Sequence, residues 1–380
     1  MIITEDERYA CMFLCHLKTT GLKSVKRLIH HYGSAVNAVN NILQNEKETR
    51  LLSENGIFKA TTLEELKNED YNRWYENINQ KMLNYNIKVS VIIDEDFPER
   101  LKEIPDCPLV LYYRGNLELT RTRNTIGSIG SRRPTSYGLM MAEEFCKELA
   151  SRGITIVSGM AYGIDARSHR SAISSGGSTI AVLGGGVDIC YPRTNFDIYN
   201  EMCSSQLVLS EYEPGREHLS MNFPQRNRII SGLSDALLVV EAAQKSGTLI
   251  TVDFGLEQGK TIYAVPGRAT DLMSRGVNNL IKQGAMLVDS PIDIIMDMLG
   301  THIVQDGVAR DSNKSNKTRI KSLPANKQKI LGMLGYEPVY IDELIRANDM
   351  KISETIHLLR ELEDEGFIVC FEKSYYLLKV

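Results

Sequence analysis

The sequence predicts an α/β protein: an extended Rossmann-like, doubly wound, mostly parallel sheet, with a helical domain before it and a winged helix after it. Three observations carry this. From about residue 88, short Val/Ile/Leu runs alternate with amphipathic helical stretches, the texture of a parallel sheet covered on both faces. Residues 1 to about 85 contain no convincing strand. The end of the chain reads helix, helix, helix, then a two-stranded ribbon.

Taken in order, residues 1–85 are expected to form several short helices, punctuated by Gly21, Gly33 and the "SENG" turn at Ser53–Gly56. Within them "TTGLKSVKRLIHHYGS" (Thr19–Ser34) is a tight turn feeding a basic amphipathic helix, a loose helix-hairpin-helix pattern. Such a hairpin either offers backbone N–H groups to DNA phosphates or serves only as a packing module. Residues 86–300 form the sheet domain. Its expected strands are "KVSVII", "PLVLYY", "NTIGSIG", "ITIVSG", "STIAVLGGG", "LVLSEY", "DALLVVEA", "TIYAVPG" and "AMLVDS". Helices are expected between them, at Tyr137–Ser151 and Gly247–Gln258 among others, and the domain ends near the helix Pro291–Leu299. Residues 301–325 read as a flexible basic linker. The stretch 309–329 carries seven basic residues against one acidic, with almost no apolar content. Residues 326–380 read as the winged helix, with Ser353 capping its third helix and Gly366 ending it. That helix carries Glu354, Glu361, Glu363, Asp364 and Glu365 against Arg360, a charge that phosphates would repel, so the tail reads as a protein-contact module.

The bulk numbers exclude some classes. A chain of 380 residues, 43% hydrophobic, has room for two or three cores. A net charge of −4 gives no global basic signal, so any nucleic-acid site must be local. Seven scattered cysteines without a CxxC pair point to a reduced protein with no disulfide and no zinc site. The acidic start "MIITEDERYA" is no signal peptide, and no apolar run approaches the ~20 residues that cross a bilayer. A cytoplasmic protein without a membrane partner is the expectation.

In open α/β sheets, ligands sit beyond the carboxyl ends of the strands. This chain places glycine-rich turns there: Gly130-Ser131-Arg132-Arg133, Ser158–Asp165 with Tyr162 and Gly163, Gly184-Gly185-Gly186, and Ser246-Gly247-Thr248 at a helix start. Each lets backbone approach a ligand and leads into a helix with unpaired N–H donors. "FPQRNRIISG" adds Phe223, Arg226, Asn227 and Arg228, and Tyr191 supplies another aromatic ring. Arginine forks match phosphate, and aromatic platforms among them are how single-stranded nucleic acid is held without reading its sequence. "GSIGSR" is not a dinucleotide fingerprint and no GxxxxGK[ST] loop occurs, so neither a nicotinamide cofactor nor a Walker-type ATPase is indicated. Asp165 and His169, four residues apart, are an acid–base pair or a helix-start aspartate with a neighbouring histidine. No nucleophile–base set, cofactor signature or metal cluster stands out.

Together, "FPERLKEIPDCPLVLYYRGN", "IGSRRPTSYG", "IVSGMAYGIDARSH", "AVLGGGVDICYP", "SEYEPG", "FPQRNRIISGLSDALLVVEA", "SGTLIT", "AVPG" and "GVNNLIKQGA" resemble the DprA/Smf family of DNA-processing proteins, over about residues 95–290 and in order. The resemblance implies a cytoplasmic, non-enzymatic, homodimeric protein. It would bind single-stranded DNA, protect incoming DNA in natural transformation and load a RecA-type recombinase. It implies a DNA pocket at Gly130, Ser131 and Arg132, at the 162–163 turn, and at Phe223 with Arg226–Arg228. Many members carry a basic residue where Tyr162 stands here; one cation is lost and a stacking ring gained.

Two other readings remain. The "SGT" helix start also resembles the lysine-decarboxylase-like phosphoribohydrolases, whose catalytic glutamate position is Thr251 here. A small-nucleotide sensor signalling through the winged helix is the other.

Overall fold

The computed structural model describes residues 5–17, 21–44, 61, 64–65, 69–300, 323–334, 339–347, 352–371 and 375–378. The expected turn at Ser53–Gly56 and residues 309–322 of the basic run lie outside them. The chain divides into two compact units, residues 1–133 with 141–295, and residues 134–140 with 296–380.

The first unit opens with α1 (Glu5–His16), α2 (Leu22–Tyr32), α3 (Ala35–Gln44) and α4 (Tyr71–Asn84). In α2 the apolar residues Val25 and Leu28 are buried while the basic ones face out. Asp70 caps α4, its carboxylate accepting from the N–H groups of Asn72 and Arg73.

Nine strands follow where the apolar runs predict them: β1 (Lys88–Val91), β2 (Val110–Gly115), β3 (Thr125–Gly130), β4 (Thr155–Ser158), β5 (Thr179–Val182), β6 (Leu207–Ser210), β7 (Ala236–Glu241), β8 (Thr261–Ala264) and β9 (Met286–Leu287). They form one sheet in the order β1-β2-β6-β5-β4-β3-β7-β8-β9. β2 pairs antiparallel with both β1 and β6; the pairs from β6 to β9 are parallel. The interleaved helices are α5 (Glu99–Lys102), α6 (Ser136–Ser151), α7 (Ile164–Ser174), α8 (Phe196–Ser205), α9 (Asn222–Leu233), α10 (Gly247–Glu257), α11 (Arg275–Lys282) and α12 (Pro291–Leu299).

The strands are buried on both faces because alternate residues enter different cores. Ile180, Val182, Leu207 and Leu209 face a layer that holds Leu101, Ile229, Leu233 and Val252. Ala181 and Val208 face the other, with Ile198 and Met202. That second core runs on without a break into Phe13, Leu14, Leu28, Trp74 and Ile78 of the N-terminal helices. The change of texture near residue 85 is therefore a change of secondary structure crossed by one continuous core.

The chain winds outward from β3 through β4 and β5 to β6, then returns to lay β7 on the other side of β3. This reversal opens a crevice between the carboxyl ends of β3 and β7, the place where such sheets bind ligands. A register shift at Ile129/Gly130 turns the end of β3 where it meets β7.

The second unit carries α13 (Ala325–Met333), α14 (Ile341–Ala347), α15 (Ile352–Asp364) and the strands β10 (Val339–Tyr340), β11 (Ile368–Phe371) and β12 (Tyr375–Leu378). Leu331, Leu344, Leu359, Leu362 and Ile368 form its core. Two expectations are corrected. The sheet has three strands, β10-β12-β11, because Val339–Tyr340 joins the ribbon. Ser353 lies inside the first turn of α15, which begins at Ile352, so it is not the residue before the helix. Gly366, at φ +79°, ends α15 as expected: the Phe367 N–H returns to Leu362 O at 2.9 Å.

Candidate nucleic-acid interface

The crevice is an open cleft of about 750 Å3, lined among others by Gly130, Ser131, Arg132, Arg133, Asp165 and Phe223. The Ser246-Gly247-Thr248 turn and Lys245 form its far wall. A narrower recess of about 70 Å3 shares Arg132, Tyr191 and Phe223 and adds Tyr162.

Local hydrogen bonds shape both turns. Ser131 Oγ accepts from the Arg133 N–H at 3.0 Å, curling the turn after β3. Ser246 caps α10: its Oγ accepts from the Thr248 N–H at 3.2 Å and donates to Thr248 Oγ1 at 2.9 Å. Thr248 Oγ1 then donates to Gly130 O at 3.1 Å, tying the two walls together. These hydroxyls are committed to the scaffold, and none of their bonds is to a histidine or carboxylate that would activate a nucleophile. Thr251, on the cleft wall and buried, brings no carboxylate to the position where the phosphoribohydrolases carry their glutamate.

An aromatic platform also lines the cleft. Tyr191 stacks on His218, with ring centroids 5.3 Å apart, and leans on Phe223 at 5.7 Å. The Arg132 guanidinium lies over the Phe223 ring, 4.9 Å from its centroid. Tyr162 and Tyr191 are 46% and 43% exposed, so their faces are open to a ligand. His218 is the member that sequence reading missed. It sits in the irregular β6–α9 loop, where no periodicity marks which residue turns inward. Its Nε2–H donates to Ile189 O at 3.0 Å. Burial lowers its pKa, against that bond, and keeps the ring neutral at pH 7.

The expected arginines separate into two kinds. Arg132 and Arg133 are exposed on the cleft rim, with Lys245 opposite. Arg226 is instead buried in the cleft floor, 2% exposed. Its Nη1 donates to Gly159 O at 2.8 Å and to Val182 O, so it clamps the carboxyl ends of β4 and β5. Burial lowers its pKa to about 10, with the Asp165 charge opposing. Asp165 itself is pushed up by burial, and Arg226 counteracts. Gly159 leaves room for this pair, since a Cβ there would lie 2.5 Å from Arg226 Nη2 and 2.8 Å from Asp165 Oδ2. Arg228 is turned out of the cleft altogether. Its Nη2 donates to both Glu211 carboxylate oxygens, at 2.7 and 2.9 Å, and its Nε to Asp106 O at 2.9 Å. Asn227 stays on the cleft wall.

Gly185 and Gly186 sit behind the platform. A Cβ on Gly185 would lie 2.7 Å from the His218 ring, so this glycine is what lets His218 rest on the loop after β5. Gly163, at φ +77°, precedes the first turn of α7. Asp165 and His169 do not form an acid–base pair. The His169 Nδ1 contacts Thr179 Oγ1 at 2.7 Å, and burial followed by the Arg226 charge drives its pKa down to about 3.

Fold and cleft define a class: a doubly wound α/β protein with an aromatic, arginine-rimmed cleft at its switch point, and a winged helix in its C-terminal unit. Residues 88–299 match the family model for DNA recombination-mediator protein A, and residues 315–370 that for the DprA winged helix domain. The DNA processing protein DprA of Streptococcus pneumoniae is 41% identical over 206 residues, 54% of this chain and 72% of that protein. The X-ray structure of S. pneumoniae DprA superposes with a TM-score of 0.66 at 32% identity, over 78% of this chain and 99% of that one. DNA processing protein A of Helicobacter pylori, solved for its single-stranded DNA binding mode, gives 0.52 at 30% identity, over 56% and 96%. The chain belongs to the DprA/Smf family of DNA-processing recombination mediators.

Proposed function

We propose that the cleft holds single-stranded DNA without reading its sequence. The observation that carries this is the Arg132 guanidinium over Phe223, inside the Tyr191–His218 stack and beside two phosphate-sized turns. Phosphates would lie on the rim, at Arg132, Arg133, Lys245 and the N–H group of Gly247. Bases would stack on Tyr191, Phe223 and Tyr162, each contributing about 1–3 kcal/mol. Arg226 adds positive potential from the floor, and Arg228 acts only on the fold. The single-stranded DNA binding of the H. pylori relative supports this reading.

Family membership supports the rest of the proposal. The protein is a cytoplasmic homodimer that carries out no chemistry on the strand; it protects incoming DNA during natural transformation and delivers it to a RecA-type recombinase. The test is a mobility shift of labelled oligo-dT, competed with unlabelled strand, duplex and free nucleotide, followed by recombinase-driven strand exchange. Competition by single strand alone and stimulation of exchange are expected. Competition by free nucleotide at equal base concentration, or release of ribose 5-phosphate from it, would replace the proposal with one of the nucleotide readings.

A further inference from the structure

The β6–α9 loop, residues 211–221, is gripped from two sides. On one side the N-terminal helices hold it. His16 Nδ1 on α1 lies 2.7 Å from Glu213 Oε2, and the Trp74 indole N–H reaches the same oxygen at 3.5 Å. Lys81 Nζ, further along α4, donates to Pro214 O at 3.0 Å. On the other side the sheet turns hold it. The Gly215 N–H donates to Asp188 Oδ1 at 2.8 Å, and the Gly186 N–H to Arg216 O at 2.8 Å. Two residues beyond Arg216 comes His218, resting on Gly185 and stacked on Tyr191.

The loop is thus a short strut with the helical segment at one end and the aromatic platform at the other. His218 reaches the platform from irregular backbone, and its place in the stack depends on where the strut is held. Glu213 is the strongest handhold: one carboxylate, 21% exposed, serves two helices.

We infer that Glu213, gripped by His16 and Trp74, is a positioning residue for the DNA cleft, through which the N-terminal helices set the His218 face of the platform. This rests on the single-strand reading of the cleft. It gives the helical segment a role in DNA affinity that requires no contact between that segment and DNA. Glu213 is not among the residues that line the cleft, so its effect on binding is expected to pass along the loop to His218.

A double-mutant cycle tests this, with oligo-dT affinity read by fluorescence anisotropy on the full chain. His218→Ala is expected to weaken binding about fivefold, the low end for one stacking face. Glu213→Ala is expected to weaken it by a similar factor in the unaltered protein and by less than about twofold in the His218→Ala background, as coupled sites do. Glu213→Gln, which keeps an acceptor oxygen, is expected to restore most of the affinity. Lys81→Met, loosening the same strut at Pro214, provides the same cycle should Glu213→Ala fail to fold. Equal losses in both backgrounds, or no loss in the first, would overturn the inference while leaving the cleft assignment intact. Failure of the unaltered protein to bind oligo-dT would overturn the cleft reading and this inference with it.

Discussion

Arg228 and Arg132 show how two arginines in the same expected site come to do different work. Arg132 ends a strand on the rim, where its charge stays hydrated and available. Arg228 is in the second turn of α9, where its Nη2 donates to both Glu211 carboxylate oxygens and its Nε to Asp106 O. Removing it takes away the ion-pair partner that Glu211 has among the described residues, and leaving such a partly buried group unsatisfied costs about 1–3 kcal/mol. Arg228→Ala is therefore expected to lower the urea midpoint clearly while leaving oligo-dT affinity per folded molecule within about twofold. A stable variant with lost affinity would return Arg228 to the DNA site. His16 makes a second prediction at this scale. Burial lowers its pKa, but the hydrogen bond and charge of Glu213, joined by Glu69, outweigh it and raise the folded value above 6.5. The raised value means that the His16 contribution is complete below pH 6.5 and is lost as pH rises through the folded value. Between pH 6 and 8 the protein is expected to lose more stability than Glu213→Gln does; parallel urea midpoints across that range would contradict the assignment.

Among the elements, the cleft depends on strand ends held in register by small residues. Gly159→Ala would drive a methyl group against Asp165 and into the Arg226 guanidinium, which clamps β4 to β5. Overpacking of this kind costs about 1–3 kcal/mol. The variant is expected to melt several degrees lower in calorimetry and to bind oligo-dT more weakly; an unchanged melting temperature would show that the clamp is slack. The nine strands were legible because buried parallel strands write themselves as unbroken Val/Ile/Leu runs, and the turns because glycine punctuates them. The reversal of β2 was not legible, since a strand's direction depends on which neighbour it meets. Neither was β10, two residues long. The inward turn of Arg226 was hidden because its carbonyl partners, Gly159 and Val182, are 67 and 44 residues away in sequence. His218 left no signal beyond being a histidine in a loop.

For the whole molecule, a net charge of −4 coexists with a cleft whose exposed charges, Arg132, Arg133 and Lys245, are all positive. Phosphate attraction is then local, and its salt dependence counts the cations engaged. Three contacts on a single strand give a slope of log K against log salt of about −2 per cleft. A slope near zero would mean that stacking alone holds the strand. The winged-helix unit adds no comparable basic face on α15: Lys327 on α13 is paired there with Glu361 and Glu365. Duplex binding is accordingly expected to be weak.

The central claim is that the Arg132–Phe223 pair cradles a single strand. Its most direct test is the anisotropy of labelled oligo-dT titrated with the unaltered protein and with Arg132→Ala, alongside a matched duplex. Salt-sensitive binding that prefers single strand to duplex is expected, with a loss of about tenfold in Arg132→Ala at an unchanged melting temperature, as for a charged contact at an exposed site. Equal affinity of the two proteins for oligo-dT would contradict it.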